Sequence, residues 1–393
     1  MHPLDGIRIL AVEQYGAGPF GSAHLADLGA EVIKIETRDG GDMSRGVGPF
    51  HLGDDDSHFF QSLNRNKKSI TLDLKHPQGR EVLLRLAAKA DALMGNLRGD
   101  QPEKLGLTYA QLAAANPKIV CGHLSAYGRD GARRHWPGYD YLMQAEAGYL
   151  SLTGEPDGPP ARMGLSVVDY ATGTLCALGL LAGILEARRT GRGRDIDVSL
   201  YDVAMHQLNY PAAWYLNEGH VTGRTPRSGH PSIVPSQLYR TKDGWLFIMA
   251  QKQMFWERLC DALGRADLKA DAAYRTPAAR LAHREALTQA LDAAFAQRDT
   301  GEWLALLSGS VPCGPVYDLA QALDNPYFLE RDGVQVFDHP GRPGFKLVAS
   351  PFRLREPRPA RPAPGLGEHT EALLAEAGYD TGEIEQLKRA GAI

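Results

Sequence analysis

The side chain with the clearest chemical potential is Asp169, in the stretch Gly164-Leu165-Ser166-Val167-Val168-Asp169-Tyr170-Ala171-Thr172-Gly173. Apolar residues precede it, and an uncharged run, Gly173 to Leu185, follows. An acid in so apolar a setting must be paired, protonated or employed. At the mouth of a helix, free N–H groups hold a carboxylate ionised, which suits a nucleophile and equally suits an N-cap. A second pattern, Gly16-Ala17-Gly18-Pro19-Phe20-Gly21, fits G-x-G-x-x-G between a strand and a helix, with Glu36 20 residues after Gly16. That is the dinucleotide fingerprint. Two details weigh against a nicotinamide or flavin cofactor. Pro19 has no N–H to offer a pyrophosphate, and Glu13, Gln14 and Tyr15 separate strand from glycine. The alternative is a tight turn at a strand–helix junction.

Basic residues gather at Asn64-Arg65-Asn66-Lys67-Lys68, at Lys75, and at Arg38 and Arg45. Loops at the carboxyl ends of parallel strands bind ligands, and Arg and Lys there suit phosphates; solvated surface charge is the plain alternative. The 13 histidines show no metal-ligand spacing, so no metal is expected. His24 and His123 read as structural, and Ser125 and Ser166 lack a nucleophile-elbow context. Cys121, Cys176, Cys260 and Cys313 match no zinc or redox spacing and suit a reducing cytoplasm.

The elements that must position these residues follow from pattern. Ile7–Val12, a helix over Gly21–Leu28 and a strand over Glu31–Glu36 make a βαβ unit. A helix over Gly79–Met94 would place Val82, Leu83, Leu86, Ala87, Ala90 and Leu93 on one face. Strands are expected over Ser69–Leu74 and Lys118–Cys121. The alternation predicts an α/β fold, a Rossmann-like, doubly wound domain with a parallel sheet. Leu238–Met249 reads as a hairpin turning at Asp243-Gly244, followed by helices near Phe255–Leu263 and Ala278–Gln297. These predict a large domain over 1–224 and 326–393 and a smaller α+β domain over 225–325. The Pro/Arg-rich Glu356–Pro364 reads as an extended linker. Gly173–Leu185 is too short to span a bilayer and reads as a helix buried on all sides. No secretory signal is evident. A length of 393 residues with 43% apolar and 23% charged residues is ordinary for a globular protein, and a net charge of −4 disfavours nucleic acid.

In order along the chain, several blocks together resemble the class III CoA-transferases, which share a fold with carnitine-CoA transferases and 2-methylacyl-CoA racemases. They are Pro3–Leu10, Ala17-Gly18-Pro19-Phe20, Leu25–Glu36, Asn64–Lys75, the surroundings of Asp169, Thr190-Gly191-Arg192-Gly193-Arg194 and Leu366-Gly367-Glu368-His369-Thr370. The resemblance covers nearly the whole length. It implies that Asp169 is the nucleophile, attacking an acyl-CoA thioester and carrying an aspartyl-CoA thioester before an acceptor acid is loaded. By position it implies CoA contacts at Ala17, Gly18, Arg38, Leu72, Asp73, Leu74, Lys75, Asn96, Leu97, Arg98 and Lys104. Gly16, Tyr139 and Asp140 become candidates for the acyl site.

Two departures stand out. Gly16 occupies a position where relatives often carry Gln, and Thr37 one where they often carry Arg, with Arg38 following. The racemase branch needs His-Asp where this chain has Tyr139-Asp140, and a tyrosine is a poor base at neutral pH. The resemblance therefore implies transfer, with acyl-CoA and a carboxylic acid as substrates, coenzyme A as part of the substrate, and no permanently bound cofactor. Ala250-Gln251-Lys252-Gln253-Met254 stands where formyl-CoA transferases carry a Gly-rich loop, which argues against the oxalate enzyme; among the acids that relatives handle, including carnitine, bile acids and aromatic acids, a short dicarboxylate such as succinate is the expected donor acid. An interlocked homodimer is also implied.

Overall fold

Six short strands make one parallel sheet, largely buried on both faces as expected where helices cover both sides, with the last, Arg194–Ser199, polar and more exposed. The strands are β1 (Arg8–Val12), β2 (Glu31–Glu36), β3 (Lys68–Thr71), β4 (Ala92–Gly95), β5 (Val120–Ser125) and β6 (Arg194–Ser199). Their order is β3-β2-β1-β4-β5-β6, and every neighbouring pair is parallel. This is the Rossmann order, which reverses direction between β1 and β4 and opens a crevice at their carboxyl ends. The computed structural model describes residues 2–354, 356 and 359–393. Pro357 and Arg358 of the expected linker lie outside the described residues.

On one face of the sheet, Leu10, Ile33, Ile70, Leu93 and Cys121 pack with Val82, Leu83 and Leu86 of α2 (Pro77–Ala87) and with Leu373, Ile384 and Leu387 near the C-terminus. The opposite face carries α1 (Ala17–Asp27) and the long α4 (Val167–Thr190); between these in sequence lies the short α3 (Asp140–Glu146). Leu180 and Cys176 of α4 sit over Gly122 of β5, where a Cβ would lie 3.0 Å from Leu180 Cδ1.

The chain divides into two compact units: Met1–Ala147, Gly164–Leu208 and Leu329–Ile393 form one, and Gly148–Met163 and Asn209–Phe328 the other. The second unit holds an antiparallel sheet of β7 (Ser236–Arg240), β8 (Trp245–Met249) and β9 (Cys313–Pro315). Its core is built on Tyr239, Trp256, Leu291 and Phe295. It extends beyond the 225–325 expected for the small domain, ending at Phe328 and taking in 148–163 and 209–224. These two segments are tied to each other: Arg224 Nη1 donates to the carbonyls of Glu155, Gly158 and Pro159.

Two expected elements differ. The helix over Gly79–Met94 ends at Ala87, and Ala92–Gly95 is β4. An apolar run buried on both faces continues a helical pattern as readily as it starts a strand, so periodicity could not separate them. Gly173–Leu185 belongs to the 24-residue α4, which by length and apolar composition could cross a membrane, although half its apolar window is buried inside the protein. It is not buried on all sides either: Leu175, Leu178 and Leu185 are exposed along one stripe.

Candidate active site

The loops leaving β1, β4, β5 and β6 surround a cleft of about 220 Å³, lined by Tyr15, Gly16, Asn96, Trp136, Tyr139 and Asp169 among others. It lies where the strand order reverses, the place at which open α/β sheets bind ligands. Asp169 enters from the first turn of α4 and is 8% exposed. Tyr15 and Tyr139 meet edge to face at 6.3 Å, and Tyr15 also packs against Phe59 at 5.2 Å.

The capping of α4 is done by a residue other than the one its sequence suggests. Asp169 is the third residue of the helix, and Ser166 precedes it without a side-chain cap. The cap comes from α3: Asp140 Oδ2 accepts the N–H groups of Val168 at 2.7 Å and of Asp169 at 2.9 Å. Its other oxygen accepts from Gln144 Nε2 at 2.5 Å. Asp140 thus supplies what an N-cap side chain normally supplies. Among the described residues, no donor reaches the Asp169 carboxylate. Burial, with the Asp140 charge adding to it, pushes the Asp169 carboxyl up to about 7. A site in which the helix terminus alone kept this acid ionised is therefore not what the chain builds. Near neutrality about half the carboxyl is ionised, and a carboxylate of higher basicity is a stronger nucleophile.

Glycine chemistry holds the carboxylate in place. A Cβ on Gly16 would lie 2.5 Å from Asp169 Oδ2, so only glycine lets the acid rest against the start of α1. The two helices approach main chain to main chain: a Cβ on Gly21 would lie 2.3 Å from the Gly173 carbonyl oxygen, and one on Gly173 2.1 Å from that of Ala17. Phe20 stacks on Tyr170 at 4.4 Å beside this contact. The three glycines of the G-x-G-x-x-G pattern are therefore occupied by protein: Gly16 by Asp169, Gly18 by Asn96 and Glu13, Gly21 by Gly173. Among the described residues, the N–H groups of Gly16, Ala17 and Gly18 donate to no protein acceptor.

The sequence-predicted positions fall along the carboxyl edge of one sheet. Gly16, Ala17, Asn96, Leu97, Arg98, Tyr139 and Asp169 line the cleft together, while Gly18 and Asp140 stand directly behind it. Arg38 is exposed after β2, and Asp73, Leu74 and Lys75 follow β3; Leu72 is buried in the core. Arg98 and Lys104 both pair with Asp100.

The basic cluster is largely spent within the protein: four of its cations meet a buried or half-buried acid, while Arg38 and Lys75 are exposed. Arg65 pairs with Asp27, Lys67 with Glu13, Lys68 with Glu31, and Arg45 grips Glu36 through two 2.8 Å bonds. Arg45 is 1% exposed, which removes it as a phosphate ligand. His123 is buried against Asp195 at 2.8 Å, a structural role. Gln14, Tyr15, Trp136 and Leu200 also line the cleft. The one signal for the first two was their position directly after β1.

Comparison with known proteins agrees with this geometry. The profile described as CoA-transferase family III matches residues 4–370. The chain is 37% identical to succinyl-CoA:glutarate CoA-transferase of Mus musculus over 400 residues, spanning 100% of this chain and 91% of that protein. It is 36% identical to succinyl-CoA:mesaconate CoA-transferase of Haloarcula hispanica, over 97% of this chain and 98% of the relative. Among solved structures, a CAIB/BAIF family protein from Brucella suis superposes with a TM-score of 0.82 at 32% identity, covering 96% of this chain and 99% of the other. Rv3272 from M. tuberculosis superposes with a TM-score of 0.84 at 32% identity, covering 95% and 99%. Matched from end to end in sequence and in fold, the chain belongs to CoA-transferase family III and is a class III CoA-transferase.

Proposed function

We propose that this enzyme takes CoA from a short dicarboxylyl-CoA such as succinyl-CoA and passes it to a free carboxylic acid through an aspartyl-CoA thioester on Asp169. The observation that carries the reading is a buried carboxylate, free of protein donors among the described residues, at the wall of a cleft at the switch point of the sheet. An Asp169 oxygen attacks the thioester carbonyl; the C–S bond breaks and CoA leaves as thiolate, giving a mixed anhydride. The thiolate attacks the aspartyl carbonyl, and the donor acid leaves as carboxylate. The acceptor carboxylate then attacks the aspartyl-CoA, and the same two steps run in reverse. Each bond broken is replaced by one of similar energy, and no net proton is consumed, so no general acid is required.

The chain's residues supply position and surroundings. Burial excludes water from the anhydride, and the N–H groups opening α1 lie beside Gly16, where negative charge develops. Asp140 is committed to the N–H groups of α4, which leaves it no free role as an α-proton base. Tyr139 at the cleft likewise supports transfer over racemisation. Arg38 and the loops at 73–75 and 96–104 are the CoA track in this reading, with Leu72 behind them in the core. The choice of succinate rests on what the relatives are named for, because Arg98, the one cation lining the cleft among the described residues, is paired with Asp100.

The reading includes an interlocked homodimer, supported by the exposed Leu175, Leu178 and Leu185 of α4, and a cytoplasmic location, supported by four free cysteines. Succinyl-CoA and a panel of acids, followed by mass spectrometry of the products and of the protein, test it. A CoA adduct on Asp169 that hydroxylamine removes is expected. Exchange at the wild-type rate in Asp169→Asn would overturn it.

A further inference from the structure

Strand β2 carries a fully buried lysine, Lys34, between Ile33 and Ile35. Its ammonium lies 2.7 Å from Asp42 Oδ2 and donates to the Glu13 main-chain carbonyl at 2.9 Å. Asp42 Oδ1 accepts the Tyr15 N–H at 3.0 Å and both the N–H and the hydroxyl of Ser44 at 2.8 Å. The other charges facing this pair are buried and matched: Glu13 with Lys67, Glu36 with Arg45. Between the two contacts, the Asn96 amide accepts the Gln14 N–H at 2.8 Å and donates to the Gln14 carbonyl at 2.7 Å. Three consecutive residues, Glu13, Gln14 and Tyr15, are therefore each gripped from outside the loop.

The loop they form is not relaxed. Tyr15 has φ +68°, a left-handed conformation that is unusual and strained for a bulky side chain. Taking Lys34 and Asp42 out of water is also expensive, and an apolar pair of similar volume would hold a core at lower cost. Both expenses fall on the segment whose next residue, Gly16, abuts the Asp169 carboxylate.

We infer that the Lys34–Asp42 ion pair, with Asn96, is the positioning device of the active site, holding Glu13–Tyr15 in the strained shape that lays Gly16 against Asp169 and turns the Tyr15 ring into the cleft beside Tyr139. Lys34 and Asp42 act through the loop and are positioning residues. The inference rests on Asp169 being the nucleophile. A loosened loop misplaces the reacting carboxylate and admits water to it. Three quantities then move together: kcat falls, the acid limb of kcat/KM moves below 7, and more thioester is lost to hydrolysis.

The test uses the full-length double variant Lys34→Met/Asp42→Asn, which removes both charges and leaves an oxygen for Tyr15 and Ser44. Succinyl-CoA is the donor and glutarate the acceptor, and CoA release is also measured without acceptor. The expected result is a kcat lower by about tenfold to a hundredfold, with KM for succinyl-CoA nearly unchanged. The share of turnover lost to hydrolysis rises. A folded double variant with wild-type kcat and wild-type partition between transfer and hydrolysis overturns the inference. Should that variant not fold, Asp42→Asn alone is measured, and wild-type kcat and partition there overturn it equally. Asp169→Asn, run in parallel, separates the two failures. Surviving exchange in it removes the nucleophile reading, whereas an inert Asp169→Asn beside a wild-type-like double variant removes only the positioning role.

Discussion

Replacing Asp169 by asparagine should abolish transfer and make the protein more stable, increasingly so as pH rises. The folded-state carboxyl sits at about 7 against an ordinary 3.8. A carboxyl raised on folding leaves stability whole below the unfolded value and removes it progressively as pH climbs through the folded one. Ionisation of Asp169 therefore costs the wild-type fold about 1.5 kcal/mol at pH 5 and about 4 kcal/mol at pH 8.5. Asparagine has the same shape and no charge. Any cost of its unpaired amide is the same at every pH, so the change with pH isolates the ionisation. For 393 residues the unfolding entropy is about 0.8 kcal/mol/K. The advantage of the variant in Tm should thus widen by about 3 °C between pH 5 and pH 8.5. Calorimetry of both proteins at the two pH values measures this. A difference independent of pH would refute the reasoning. A wild type that gains on the variant as pH rises would show instead a carboxylate serving as a cap, with its pKa depressed.

With Asp169 titrating at about 7, kcat/KM should fall about tenfold between its alkaline plateau and pH 6. Asp140→Asn, which removes the neighbouring charge, should move that limb to lower pH, read from the pH profile. Gly16→Ala would place a Cβ 2.5 Å from Asp169 Oδ2; kcat should drop by about tenfold to a hundredfold with little change in Tm, and an unchanged kcat would show that the carboxylate rests elsewhere in solution. Gly173→Ala would drive a Cβ to within 2.1 Å of the Ala17 carbonyl, and should cost about 1–3 kcal/mol in chemical denaturation.

Much of the architecture was legible because it follows local rules. The strands at Arg8–Val12 and Glu31–Glu36 and the hairpin turning at Asp243-Gly244 stand where alternation and turn chemistry put them. β4 was not legible, because Ala92-Leu93-Met94-Gly95 is apolar without a break and extends the helical stripe before it. At the site, Asp169 could be singled out as an acid out of place, but its cap could not be found. Asp140 is 29 residues away, and no local pattern links them. The basic cluster pointed toward phosphate for the same reason: Glu13, Asp27, Glu31 and Glu36, which neutralise it, come from other elements. In the sequence Lys34 is simply a charged residue between Ile33 and Ile35. Only the fold reveals that it faces inward, against Asp42.

The contact between α1 and α4 is made by main chain at Gly21 and Gly173, so the approach of the two helices there is set by backbone and not by the size of side chains lining the cleft. Residues that shape the rest of the cleft, such as Met43, Trp136 and Tyr139, belong to other segments. Exchanging them would resize the space offered to an acid while leaving the reacting oxygen where it is. A scaffold jointed in this way can change its substrate by single substitutions without having to reinvent its chemistry, and the nucleophile keeps one address while the room around it is refurnished.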